Sequence, residues 1–135
     1  MSDTKDVMKF LPLYLSIVLG KTELYTFYVV PFILYFVISK GLKHFVGKER
    51  PDGLSKRSFP SGHTSSAFLA ASYLNTTLGP IVGIPMFIVA NIVGITRIYC
   101  NRHTLIDIIG GAIVGIFCGY YGYLLNIKIY SFFVD

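Results

Sequence analysis

The sequence of 135 residues has few charged side chains, only two cysteines and no tryptophan. Charged residues make up 14% of the chain and hydrophobic residues 53%, whereas a typical soluble domain is about 25% charged. Two cysteines are too few for a disulfide-stabilised scaffold. The wealth of hydrophobic and aromatic residues excludes a disordered chain. The class that remains is a small integral membrane protein with one domain.

The few charges are grouped, and the stretches between them are long enough to cross a membrane. Residues 24–39, 64–96 and 108–127 contain no Lys, Arg, Asp or Glu. A membrane-spanning helix needs about 20 mostly apolar residues, so Gly79-Pro80 is expected to divide the middle run into two helices. The pattern predicts an all-α integral membrane bundle of four to five transmembrane helices, over residues 23–42, 61–78, 80–99 and 104–126.

The first 22 residues leave two interpretations open. Residues 7–20 are apolar but short, and they include Lys9 and Pro12. A signal peptide is disfavoured, because Asp3 and Asp6 precede the apolar stretch and no small-residue cleavage site follows it. Residues 1–22 therefore contain either a short fifth helix or a segment along the membrane interface. We expect a single membrane-embedded domain over residues 1–135, with its main bundle over residues 23–127.

Counting the crossings places the loop 40–60 and the segment 97–103 on one face of the membrane. Eight of the 12 Lys and Arg residues lie there: Lys40, Lys43, Lys48, Arg50, Lys56, Arg57, Arg97 and Arg102. Taken alone, this charge is what the positive-inside rule or attraction to anionic headgroups would produce. The spacing of the residues on this face decides between that interpretation and a functional site.

Three short patterns on this face carry a family resemblance. They are Lys43 with Arg50-Pro51, Pro60-Ser61-Gly62-His63, and Thr96-Arg97 with His103 and Asp107. In order and internal spacing they match the signature of the type-2 phosphatidic acid phosphatase superfamily, which the chain resembles over residues 43–107. Two features differ: the family usually has serine where this chain has Thr96, and its membrane members resemble six-helix bundles.

The third pattern has a physical interpretation of its own. His103 and Asp107 are four positions apart, which places them on the same face of a helix. A carboxylate there accepts the proton of one imidazole nitrogen and leaves the lone pair of the other free to attack. Such a pair is normally a structural hydrogen bond, but an ionisable group at the start of a membrane helix is costly and usually functional.

The second pattern opens a helix, whose N-terminal N–H groups and dipole suit a phosphate. An ordinary N-cap explains Ser61, but it does not explain His63 in the first turn, which is suited to act as a general acid. Cations such as Arg50 would stabilise the phosphoryl oxygens. Snorkelling to the interface is a competing explanation for Lys43 alone.

The resemblance implies the same roles, residue by residue. His103 would be the nucleophile that forms a phosphohistidine, Asp107 would orient it, and His63 would be the acid. The phosphate-binding residues would be Lys43, Arg50, Ser61, Gly62 and Arg97. The resemblance implies no metal or other cofactor, and no nucleic-acid partner is expected.

The predicted function is hydrolysis of a lipid phosphate, with several alternatives open. The lipid would be an isoprenoid diphosphate, phosphatidic acid or phosphatidylglycerol phosphate. Binding of a second phosphate by Lys48, Lys56 and Arg57 would slightly favour a diphosphate, but solvated loop charge explains these residues equally well. A non-catalytic scaffold that binds anionic lipid through the basic face is the alternative function. Vanadium-dependent haloperoxidases share the anion-binding patterns but resemble soluble proteins.

Orientation and assembly are also predicted. The resemblance implies an active site on the periplasmic, lumenal or outer face, although the positive-inside rule favours the opposite. Gly111, Gly115 and Gly119 recur every four residues in the last helix. They indicate close helix packing, either within the bundle or between the subunits of a homo-oligomer.

Overall fold

The computed structural model describes residues 9, 10, 14 and 22–134. Within these residues the fold is helical and contains no strand. The four helices are α1 (Thr22–Val46), α2 (Gly62–Leu78), α3 (Pro80–Tyr99) and α4 (Leu105–Val134). The predicted helical class is thus confirmed. The predicted segment over residues 7–20 lies outside the described residues, apart from Lys9, Phe10 and Tyr14.

Local sequence sets the ends of α2 and α3. The Ser61 hydroxyl caps α2 by accepting the N–H of Thr64 at 3.3 Å. After α2 ends, Gly79 has a φ of 86°, a conformation that favours glycine. Pro80 begins α3 at a position where a helix has no use for an N–H. The observed bounds of α3 are the predicted ones.

The first and last described helices, α1 and α4, extend further than the sequence pattern predicted. α1 runs to Val46 instead of residue 42, which puts Lys43 in its last turn. α4 runs to Val134 instead of residue 126. The reason is that Lys128 interrupts the apolar run, but neither glycine nor proline follows it to stop the helix.

Three of the described helices are long and apolar enough to cross a membrane, over Tyr28–Val46, Pro80–Tyr99 and Leu105–Val134. α2 has 17 residues and is about 25 Å long, a little short of a typical span. It is sheltered by the other helices: from Gly62 to Leu74 every residue except His63 is buried. The chain is therefore an integral membrane protein with α2 at its centre.

α2 packs against all three other helices, and α4 packs against α2 and α1. Within the described part of the chain, α1 and α3 do not meet. α3 touches the rest of the bundle mainly through α2, and most of its isoleucines are exposed. The bundle therefore has a covered centre and an open outer face on α3.

The glycines of α4 are used for packing inside the chain. A Cβ atom on Gly115 would lie 2.7 Å from the backbone nitrogen of Leu69, and one on Gly111 would lie 2.9 Å from the Ser61 carbonyl oxygen. Gly119 faces Ser72 in the same way. This face of α4 is occupied by α2, so the glycine pattern gives no support to the predicted contact between subunits.

One end of the bundle gathers four helix termini. The Ser61 N–H donates to the Asp107 carbonyl oxygen at 3.1 Å, which joins the start of α2 to the first turn of α4. The loop that follows α1 and the turn that follows α3 meet at this same end, where the Ser58 carbonyl oxygen lies 2.8 Å from Nδ1 of His103. Residues 40–60 and 97–103 therefore meet at one end of the bundle, as the count of crossings predicted.

Candidate active site

His103 lies in the short turn between α3 and α4, and only 3% of it is exposed. Its Nδ1 atom is 2.8 Å from the carbonyl oxygen of Ser58, in the loop that precedes α2. A carbonyl oxygen can only accept, so Nδ1 must carry the proton. Nε2 of the neutral ring therefore keeps its lone pair, which is the state that a nucleophilic imidazole needs.

The predicted hydrogen bond between His103 and Asp107 is not formed. The distance from His103 Nδ1 to Asp107 Oδ2 is 3.7 Å, too long for a hydrogen bond. The spacing argument assumed that both residues lie in one helix, but α4 begins only at Leu105. His103 precedes the helix, and its ring turns toward the loop.

Asp107 is fully buried and binds three other groups. Its Oδ1 atom is 2.9 Å from Lys48 Nζ. Its Oδ2 atom accepts the hydroxyl of Ser58 and, at 2.9 Å, the backbone N–H of Thr104. A buried carboxylate is stable only when paired and hydrogen-bonded, and these contacts meet that need. Asp107 thereby fixes the loop before α2 and the turn before α4.

The surroundings of His103 keep its imidazole neutral. Burial lowers the pKa of His103 to about 4, and the nearby positive charges of Arg50 and Lys43 act in the same direction. The hydrogen bond to Ser58 and the charge of Asp107 oppose this shift but do not cancel it. The uncharged form thus predominates at neutral pH.

Two guanidinium groups supply unused donors at this end of the bundle. Arg97 is in the last turn of α3 and is 6% exposed. Arg50 is held in its loop by backbone hydrogen bonds to Ser55 at 2.8 Å and Gly53 at 2.9 Å. The Nε atoms of both arginines are buried without a hydrogen-bond partner among the described residues. Buried donors of this kind call for an anion, and phosphate suits the guanidinium geometry.

Two lysines of this end, Lys43 and Lys48, form hydrogen bonds that hold the structure together. Lys43 Nζ donates to the carbonyl oxygens of Arg57 at 3.0 Å and Pro60 at 2.7 Å, which fastens the loop to α1. Lys48 Nζ donates to Asp107 and, at 2.6 Å, to the Thr104 hydroxyl. Asp107 thus already engages the charge of Lys48, so this lysine lends no support to the slight preference for a diphosphate.

The start of α2 places the second pattern, Pro60-Ser61-Gly62-His63, at the same end of the bundle as His103 and Asp107. Ser61 is fully buried, and its hydroxyl donates to the Thr64 hydroxyl at 3.0 Å while capping the helix. This supports the N-cap interpretation and leaves the hydroxyl engaged within the helix. Gly62 is buried as the first residue of α2, and His63 is half-buried in the first turn.

Ser58 and Thr104 were missed by the sequence analysis. Ser58 stands two positions before the Pro60 pattern, in a loop without periodicity, and Thr104 follows His103 directly. No sequence signal marks either residue. The partners of Ser58, His103 and Asp107, lie 45 and 49 positions away, and the Thr104 hydroxyl bonds Lys48, 56 positions away.

A cavity of about 290 Å³ lies between α1 and the loop before α2, and Lys43 and Arg50 form part of its wall. Phe32, Tyr35 and Phe36 of α1 form an aromatic wall. Arg50 and Arg57 line it from the loop, and Lys40 and Lys43 from the end of α1. The cavity thus presents apolar and cationic surfaces to the same ligand.

The chain is similar to proteins that are already known. The family model of the PAP2 superfamily matches residues 24–130. The chain is 40% identical over 87 residues to the lipid A 1-phosphatase of Porphyromonas gingivalis, an alignment that covers 62% of this chain and 20% of that protein. The chain thus spans about a fifth of the length of this relative.

Two crystal structures resemble the fold. Aquifex aeolicus LpxE superposes with a TM-score of 0.72 and 26% identity, over 87% of this chain and 82% of that one. The PAP2-type phosphatidylglycerolphosphate phosphatase of Bacillus subtilis superposes with a TM-score of 0.64 and 23% identity, over 94% and 77% of the two chains, and shares the fold. Since the family match covers most of the chain and includes all three patterns at the site, this chain belongs to the PAP2 superfamily.

Proposed function

We propose that this protein hydrolyses a phosphate ester or anhydride of a membrane lipid through a phosphohistidine at His103. One observation carries the proposal. A buried, neutral imidazole with its proton fixed on Nδ1 shares one end of the bundle with two arginines, whose buried Nε atoms have no partner among the described residues. That combination provides a nucleophile and donors for a phosphoryl group.

The reaction has two displacements. In the first, Nε2 of His103 attacks phosphorus, the bond to the lipid oxygen breaks, and His63 gives its proton to that oxygen. In the second, His63 takes a proton from water as the water attacks, and the bond between phosphorus and Nε2 breaks. Arg50 and Arg97 stabilise the negative charge of the phosphoryl oxygens in both steps.

The cavity beside α1 supports a lipid substrate. Its cationic side suits a phosphate headgroup, and its aromatic wall of Phe32, Tyr35 and Phe36 suits an apolar chain. Two relatives bear the names lipid A 1-phosphatase and phosphatidylglycerolphosphate phosphatase. The substrate of this chain is accordingly a lipid phosphomonoester or diphosphate, with isoprenoid diphosphate, phosphatidic acid and phosphatidylglycerol phosphate as the first to test.

Phosphate release in detergent micelles tests the proposal. The assay compares the wild type with His103→Ala on each lipid, with and without a metal chelator. We expect His103→Ala to lower kcat at least about a thousandfold, since no other group replaces the nucleophile. His44→Ala is the matched control, because His44 is exposed at the end of α1.

Equal phosphate release by the wild type and His103→Ala would refute the enzymatic proposal. Binding of the wild type to anionic vesicles without any release would favour the non-catalytic scaffold. Acid-labile, protein-bound phosphate after quenching, absent from His103→Ala, would support the covalent intermediate.

The proposed site faces the periplasm, the lumen or the outside. The native Cys100 offers a test, because it is exposed at the site end of α3 whereas Cys118 is buried. A membrane-impermeant maleimide is expected to label the wild type in intact cells but not Cys100→Ser. Labelling that requires permeabilised cells would place the site on the cytoplasmic side.

A further inference from the structure

Asn91 is an exposed polar residue near the middle of α3. It is the only polar side chain between residues 80 and 95, and it lies about 12 Å from the nearer end of the helix. Its Nδ2 atom donates to the carbonyl oxygen of Phe87 at 2.8 Å. The second N–H and Oδ1 have no partner among the described residues. Hydrocarbon offers no hydrogen bond, so an amide at this depth calls for another polar group.

Asn91 belongs to a regular stripe of isoleucines along the outside of α3. From Ile81 to Ile98 the spacing between successive members alternates between three and four residues. This heptad pattern is typical of helices that pair side by side in a left-handed supercoil, in water and in membranes. The five isoleucines are each at least 40% exposed, so no described helix covers the stripe. We call the stripe the α3 seam, and its members are Ile81, Ile84, Ile88, Asn91, Ile95 and Ile98.

The amide determines which surface fits the α3 seam. Isoleucine alone requires no protein partner, because lipid tails are equally apolar. The described segments that could reach the seam lie elsewhere: α1 does not meet α3, and Lys9 and Phe10, which precede α1, contact α1. A fitting surface is an apolar helix with one amide at the depth of Asn91, and α3 of a second copy has that composition.

The symmetry of a pair of copies matches the hydrogen-bonding groups of Asn91. Copies of one chain insert into a membrane in the same direction, so their α3 helices are parallel. A twofold axis along the membrane normal then brings each member of the seam opposite its own equivalent. An amide carries donors and an acceptor, so it is self-complementary. Each Asn91 can donate its second N–H to Oδ1 of the other and keep its bond to Phe87.

We propose that α3 binds α3 of a second copy of this chain as a parallel pair, joined by reciprocal hydrogen bonds between the two Asn91 side chains. The contact between copies thus lies on α3, whereas the glycines of α4 are occupied by α2. The proposal does not depend on the reaction at His103. Single hydrogen bonds between membrane helices are weak, so the pair is expected to separate at low ratios of protein to detergent.

Energy transfer between donor-labelled and acceptor-labelled chains in micelles measures the association. Cys100 is exposed and carries the labels, whereas Cys118 is buried. We expect the transfer to rise with the ratio of wild-type protein to detergent. Asn91→Leu keeps the size of the side chain but loses its hydrogen bonds, so half-association should need an about tenfold higher ratio. Asn91→Gln keeps an amide and is the control, expected within about threefold of the wild type.

Cysteine cross-linking in native membranes tests which side of α3 forms the contact. Ile88 belongs to the seam, whereas the adjacent Val89 is exposed at the same depth but points about 100° away around the helix. Each is changed to cysteine in a chain that also carries Cys100→Ser and Cys118→Ser. Disulfides need closely spaced Cα atoms, so we expect oxidation to cross-link Ile88→Cys about tenfold faster than the matched control Val89→Cys.

The proposal would be overturned by a wild type that shows no energy transfer at any ratio, or by an Asn91→Leu protein that associates as tightly as the wild type. Equal cross-linking of Ile88→Cys and Val89→Cys would also overturn it, since random collisions favour neither side of the helix. So would a cross-linked product of Ile88→Cys whose mass is not twice that of the chain, because another membrane protein would then occupy the seam. If Asn91→Leu does not fold, the cross-linking comparison decides, since it retains Asn91. None of these measurements needs turnover, so their failure leaves the proposed function standing.

Discussion

α2 and α3 form a hairpin of two charge-poor helices, yet they have opposite surroundings. α2 is rich in Ser, Ala and Thr, and nearly all of its first 13 residues are buried. α3 is rich in isoleucine, and Ile84, Ile88 and Ile95 are each more than half exposed. The less apolar helix lies inside the bundle. Lipid tails are as apolar as isoleucine, so burying isoleucine between helices gains little, whereas small side chains allow helix backbones to pack closely.

The same difference decides what each helix contributes to the site. α2 packs against three helices, and its N-terminal end brings Ser61, Gly62 and His63 to the candidate site. α3 contributes Arg97, which lies in its last turn on the face that is buried. Most of the residues that these two helices bring to the candidate site thus lie at covered positions, where packing defines a side chain best.

Added bulk on the surface that packs against α2 is expected to have the largest effect. Gly115→Val would push a side chain against the backbone of α2 at Leu69 and should lower the free energy of unfolding by about 3 kcal/mol. Unfolding in mixed micelles by SDS measures the change. Gly41→Val is the control, because a Cβ atom there has no neighbour within 4 Å. Equal stability of the two variants would contradict the close packing of α4 on α2.

The buried His103 at the polar end of the bundle should make the free energy of unfolding depend on pH. The apolar surface of α3 should contribute no such dependence. The pKa of His103 is about 4 in the folded protein and about 6.5 in an unfolded chain. Between these values only the unfolded chain binds the proton, so stability is highest above about pH 6.5 and falls as the pH is lowered to about 4. The loss attributable to His103 is at most about 3 kcal/mol.

Thermal unfolding in micelles between pH 4 and 7 measures this loss. His103→Gln is expected to flatten the dependence relative to the wild type, whereas the exposed His44→Gln should retain it. A wild type and His103→Gln with parallel profiles would show that burial does not disfavour the charged ring.

Truncation on the outer face of α3 should have the smallest effect. Ile88 is 57% exposed, and Ile88→Ala is expected to change the free energy of unfolding by no more than about 0.5 kcal/mol. Leu69→Ala, at a fully buried position of α2, is the contrasting variant, with a loss of about 3 kcal/mol. A large loss for Ile88→Ala would show that another surface covers α3.

Much of the fold was predictable because its signals are local. A run without charges indicates a membrane helix, and Gly79-Pro80 marked the joint between α2 and α3 at the correct residue. The end of α4 was not predictable from charge alone, because Lys128 does not prevent a helix from continuing. The glycines of α4 indicated close packing, but only the fold identified α2 as their partner.

The candidate site was predictable in its components and less so in its bonds. Lys43, Arg50 and His103 were identified because their patterns resemble a family signature, and the fold brings them to one end of the bundle. The contact of His103 with Ser58 was not found, because it joins residues 45 positions apart through a main-chain oxygen. Lys48 counted slightly in favour of a diphosphate because sequence does not reveal that Asp107 is its neighbour.

The sequence by itself determined the membrane class, the four described helices and the chemical groups available for binding and attack, since hydropathy and residue identity are local properties. The tertiary structure alone decided which atoms of those groups meet. Ser58 separates His103 from Asp107 because the turn before α4 and the loop before α2 are folded against each other, an outcome that depends on packing between distant segments.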